Sequence, residues 1–289
     1  MKFISLSASK KRIQACKIAV PILAVLCSIF GAMAFYTADG RYFSDTIYAI
    51  AFYTSLAIGV VVTLAAPLAV GNGITVTATQ HPTSNIIAKA PAVALLGVII
   101  GVVAKMNARC NTTVDIVILV LALASAIHYT LVGIEGYKAV VLYTGYGHCL
   151  LCLAVILSLY RDLTIELNAP FKLILQFAFT FGLFNTLANL RRTHTSCSAR
   201  QFLFAKIGYV ILALPCGAYA VGSLMAEQYE YGIDYVTLPL FLFASGLYTL
   251  AQLVSVRIIA PEDEESEELQ EAEYTTAPSV DGSTDTDEE

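Results

Sequence analysis

Two histidines, His128 and His148, fall inside long uncharged stretches of this chain. Ser125, His128 and Tyr129 follow i, i+3, i+4 spacing, which puts them on one face of a helix. Thr144, His148 and Cys152 repeat every four residues and share a face in the same way. An imidazole among hydroxyls and a thiol can pass a proton or hold a polar ligand. It can equally stay neutral and bond a neighbouring hydroxyl as helix glue, worth about 0.6 kcal/mol. The second role is the commoner one. If the two stretches run antiparallel about a turn near Ile134–Tyr137, Ser125 falls level with His148 and His128 level with Thr144. His148 then lies about 15 Å along its helix, at 1.5 Å rise per residue. A charged imidazole at that depth is costly, so His148 should be neutral or partnered. The six side chains define an expected intramembrane polar pocket.

Other residues offer less. Cys149-Leu-Leu-Cys152 could be a redox couple. On a continuous helix it lacks the aqueous, cationic setting such a couple needs, and buried cysteine also packs as a small hydrophobe. A zinc site wants four ligands, and His148, Cys149 and Cys152 do not all share a face. A haem bundle with two ligating histidines on each of two helices would need four, and only two lie within the uncharged stretches. No metal and no cofactor is therefore expected. Asn185 and Asn189, at i, i+4, can line a vestibule or bond a neighbouring helix. Gly97 and Gly101 fit the small-xxx-small pattern of close helix contact. The basic loop Arg191–Arg200 could hold an anionic headgroup, but as an orientation anchor it needs no further role. P-loop, HExxH and GxSxG patterns are missing, as are paired intramembrane acids. The reading leans away from an enzyme, and a membrane redox enzyme using Cys149 and Cys152 ranks last.

The elements that must carry these residues are plain. Eight stretches have no formal charge: 18–38, 46–70, 90–104, 116–134, 139–160, 173–190, 207–226 and 235–256. Hydrophobic residues make up 57% and charged ones 13%, too few charges to wet a soluble domain. A spanning helix needs about 20 apolar residues. Most stretches reach that length, and 90–104 does so if Lys89 and Lys105 snorkel from its ends. The runs are apolar on all sides, unlike the alternating strands of a barrel.

Of 22 acids, thirteen lie in 262–289, leaving nine against 17 bases in the rest of the chain. Lys and Arg near helix ends set orientation. With the N-terminus cytosolic, twelve basic residues face the cytosol and five the far side. Residues 10–34 resemble a secretion signal, but the apolar run is long for one and is expected to stay as the first helix. The first and last hairpins align at an offset of 189, pairing Cys27 with Cys216 and Asp45 with Asp234. That fits a duplication. It also fits chance in oily sequence. Residues 71–88 read as a cytosolic loop.

The expectation is an all-α polytopic membrane protein, a bundle of eight transmembrane helices in four hairpins with both termini cytosolic. Residues 1–17 form a basic segment, 18–260 the membrane domain and 261–289 an acidic disordered tail. The bilayer expected is the plasma membrane. A cytosolic protein could be a partner of the tail, and no nucleic acid is expected. The first functional expectation is a membrane transport component or small-molecule-binding subunit. The alternative is a non-catalytic assembly or sensory protein whose tail recruits a partner.

Overall fold

The computed structural model describes residues 6–36, 47–70, 74–77, 86–108, 113–134, 137–162, 170–194, 197–225, 234–255 and 257–259. The tail 261–289 and Cys110 lie outside them. Eight helices carry the described chain: α1 (Leu6–Tyr36), α2 (Ile47–Leu68), α3 (Lys89–Ala108), α4 (Thr113–Leu131), α5 (Lys138–Arg161), α6 (Pro170–His194), α7 (Ala199–Met225) and α8 (Asp234–Ser255). All eight are long and apolar enough to cross a membrane.

The helices satisfy their own polar groups, as an oily surround demands. Thr54, Thr63, Ser125, Thr130, Thr180 and Thr186 each donate a hydroxyl proton to the carbonyl four residues back. Pro170 opens α6 and Pro91 sits in the first turn of α3, where a missing N–H breaks no intrahelical bond.

Helices α3 to α8 follow one another round a closed ring, each touching the next, and α8 returns to α3. Helices α1 and α2 pack on each other and on the outside of α7. Helix α7 is therefore enclosed, with 83% of its spanning window buried against 22% for α1. Outward faces are aliphatic, as at Ile22, Ile58, Val93, Ile100, Val120 and Leu157.

Helix α1 begins at Leu6, well ahead of the uncharged run at 18, so Lys10, Lys11, Arg12 and Lys17 are helical. Arg12 donates to the Ala69 carbonyl at 2.7 Å, and Arg200 donates from two nitrogens to Val70 at 3.0 and 2.8 Å. Two basic residues from α1 and α7 thus close the C-terminal end of α2, where free carbonyls attract positive charge. The stretch 71–88 is more than a loop. Thr75–Thr77 forms β1, paired antiparallel with β2 (Cys197–Ser198) on one side and β3 (Arg257–Ile259) on the other. This sheet ties the exit of α2 to the start of α7 and to the chain beyond α8. It marks one end of the bundle, hereafter the sheet end.

Helix α3 differs from its sequence expectation in two ways. Its terminal lysines turn to α4: Lys89 donates to the Thr130 carbonyl, and Lys105 pairs with Asp115 at 3.2 Å. A buried carboxylate and an open carbonyl at the ends of α4 compete with the headgroups for these ammonium groups. Gly97 makes no close helix contact, because a Cβ there would meet nothing within 4 Å. The buried stripe of α3 runs through Leu95, Val98 and Val102, and Gly97 lies beside it.

Candidate functional site

Helices α4 and α5 form an antiparallel hairpin closed by a turn in which Gly133 adopts φ 83°, open to residues without a Cβ. Their polar faces meet. Ser125 Oγ lies 3.2 Å from His148 Nδ1, and Tyr129 Oη lies 3.2 Å from His148 Nε2. Cys152 Sγ approaches the same Nε2 at 3.9 Å. Ser125, Tyr129, His148 and Cys152 are all buried.

The hydrogen bonds assign the imidazole. Ser125 already donates its proton to the Leu121 carbonyl at 2.8 Å. It must therefore accept from Nδ1–H, which leaves Nε2 bare to accept from the Tyr129 phenol. The chain runs one way, Tyr129 to His148 to Ser125 to Leu121. It ends on a carbonyl, which has no proton to pass on. The rings Tyr129 and Phe241 stand edge-on to His148, with centroids 5.2 and 5.7 Å away.

His128 and Thr144 belong to the rim of this cluster. His128 Nδ1 donates to the Val141 carbonyl at 2.9 Å, and Thr144 reaches that carbonyl at 3.3 Å as well as Val140 at 2.7 Å. The two imidazoles lie nearly parallel, 6.4 Å apart. Gly145 permits this approach: a Cβ there would sit 3.1 Å from His128 Cε1 and 2.5 Å from Leu190 Cδ2.

A second polar group joins α6, α7 and α8. Lys206 of α7 is fully buried. Its Nζ donates to Asn189 Oδ1 at 2.7 Å and to Gln252 Oε1. One turn along α6, Asn185 Nδ2 donates to Thr249 Oγ1 at 3.1 Å. One turn along α8, Ser245 bonds the Tyr209 phenol at 2.6 Å. Ser245 and Thr249 spend their own protons on the carbonyls of Phe241 and Ser245. The seam runs from near the sheet end to the ring centre, where Tyr248 packs edge-on against Tyr129 at 6.0 Å.

This seam includes Asn185 and Asn189 but was otherwise missed from sequence. Ser245, Tyr248, Thr249 and Gln252 sit at i, i+3, i+4, i+7, a pattern that marks one helix face. Lys206 reads as an orientation anchor because it borders an uncharged stretch, and only the packed bundle shows it turned inward.

Among the described residues, two buried side-chain polar atoms lack a hydrogen-bond partner: Asn185 Oδ1 and Thr237 Oγ1. Leaving a buried acceptor unfilled costs about 1–3 kcal/mol. Thr237 precedes Leu238, which lines a cleft at the end opposite the sheet. That cleft holds about 30 Å³ of free space between α3, α4, α5 and α8, edged by Lys105, Asp115, Ser158 and Asp162.

Cys149 and Cys152 are buried thiols with no disulfide. Among the described residues no three His, Cys, Asp or Glu side chains gather as metal ligands. No protein-family model, curated protein or solved structure matches this chain.

Proposed function

We propose that this protein is a membrane transport component, with the solute path inside the six-helix ring and α1 and α2 as its outer support. The observation that carries the reading is the buried seam of Lys206, Asn189, Gln252, Asn185, Thr249 and Ser245. An ionisable side chain buried within a spanning bundle, here Lys206, is costly to keep there and characteristically marks a path or a site. The charged cleft at the opposite end adds a mouth. Between seam and cleft stand Tyr129, His148 and Phe241, packed as a plug.

In this reading the sheet end faces the cytosol of a cell bounded by the plasma membrane, following the excess of Lys and Arg at that end. The His148 cluster holds α4 to α5 and fixes the plug, while the seam meets the solute.

The test is reconstitution of the full chain into liposomes and measurement of solute flux. Uptake above that of protein-free liposomes is expected, and it should survive removal of 262–289. Uptake by the full chain no greater than that of protein-free liposomes would overturn the transport reading and favour the reading of the tail as a partner-recruiting element.

A further inference from the structure

We infer that the selective position on this path is the Asn185 carboxamide, and that it takes a small uncharged solute bearing an N–H or O–H donor; the inference rests on the transport reading above.

The orientation of Asn185 is fixed by its neighbours. Thr249 donates its proton to the Ser245 carbonyl at 2.8 Å. Its oxygen can only accept from Asn185, and it does so from Nδ2 at 3.1 Å. Turned over, the carboxamide would set its oxygen against the Thr249 oxygen, whose proton is already spent. Oδ1 is therefore the atom left open, on a residue only 3% exposed. An open carbonyl oxygen asks for a donor.

Inward of Asn185, away from Lys206, the surroundings select against ions. From Asn185 towards the ring centre the polar groups on the path are hydroxyls, phenols and an imidazole: Thr249, Ser245, Tyr209, Tyr129 and His148. A bare ion entering here would trade its water for a few dipoles, a poor exchange in low dielectric. A neutral solute surrenders only a few hydrogen bonds and lays its apolar surface on Tyr129, Phe241 and Tyr248, which pack edge to face. An acceptor-only solute fails differently, since it sets a lone pair against Oδ1. Asn185 and Thr249 are closed on each other in this state, and parting α6 from α8 would make the room.

Full-length protein in liposomes separates the possibilities. The probes are urea and glycerol, which carry donors; trimethylamine N-oxide, which is of similar size and has none; and sodium and chloride ions. Urea and glycerol should cross, and trimethylamine N-oxide and the ions should not. Asn185→Leu should cut the urea flux by about tenfold, the scale of one lost hydrogen bond. If that variant fails to elute as a folded protein, Asn185→Ala serves with the same expectation. Flux of trimethylamine N-oxide equal to that of urea overturns the donor requirement. Ion flux without urea or glycerol flux overturns the inference and leaves a transporter. Undiminished urea flux through folded Asn185→Leu makes Oδ1 a water site only and overturns it too. No flux of any probe removes the transport reading as well.

Discussion

Around His148 each described proton ends on an acceptor: phenol on Nε2, Nδ1–H on the serine, serine on a main-chain carbonyl. Around Asn185 the bonds are as short and as deeply buried, yet one acceptor is left open. The two regions lie in the same ring, joined through Tyr129 and Tyr248. A closed network holds helices in one arrangement, because any shift strands a polar group in an apolar medium. A network with an open acceptor holds less and can gain by taking a ligand. Under the proposed transport role, the contrast gives framework to α4–α5 and recognition to α6–α8.

Four substitutions break or sharpen that contrast, and each is read by equilibrium unfolding in detergent or bilayer mimic. His148→Ala should have the largest effect. It leaves a cavity under Tyr129 and Phe241 and deprives Ser125 and Tyr129 of their partner, a loss of about 3 kcal/mol. A loss below about 1 kcal/mol, the size of a single membrane hydrogen bond, would end the framework assignment. Gly145→Val should follow at about 2 kcal/mol, since its added carbons press on Leu190 and His128. The strain should also disturb His128, visible as a shifted imidazole resonance. An unchanged resonance would show that α5 moves instead.

Tyr129→Phe removes one hydroxyl and leaves the ring. It should cost about 1 kcal/mol, mostly through Nε2 left with the distant Cys152 thiol. Asn185→Leu should be the mildest, within about 0.5 kcal/mol of wild type, because removing the open acceptor offsets the lost bond to Thr249. A loss as large as that of His148→Ala would erase the difference between the two regions.

Parts of this were legible in the residues. Ser125 and His148 sit level across a short turn, and i, i+4 spacing put Tyr129 on the face of Ser125, but that the faces of α4 and α5 meet came from the packing. Thr144 and His128 were set at one level by the same count, and they share the Val141 carbonyl rather than joining His148. Lys206 was not legible as an interior residue. A lysine at a helix border looks alike whether it faces headgroups or neighbours, and the partners that draw it inward are 17 and 46 residues away. The strand at Thr75–Thr77 was hidden for the same reason, since three β-prone residues form a strand only when other edges arrive from β2 and β3.

The sequence by itself determined eight apolar helices and the faces on which their few polar side chains lie. It could do so because hydropathy and the 3.6-residue turn are local properties of a chain in oil. Only the tertiary structure decided that α7 is enclosed, that α8 closes the ring onto α3, and that Asn185 keeps an open oxygen while His148 keeps none. Helices equally apolar on all sides have no local preference for one neighbour over another, so the order of the ring and the count of satisfied protons follow from how they pack.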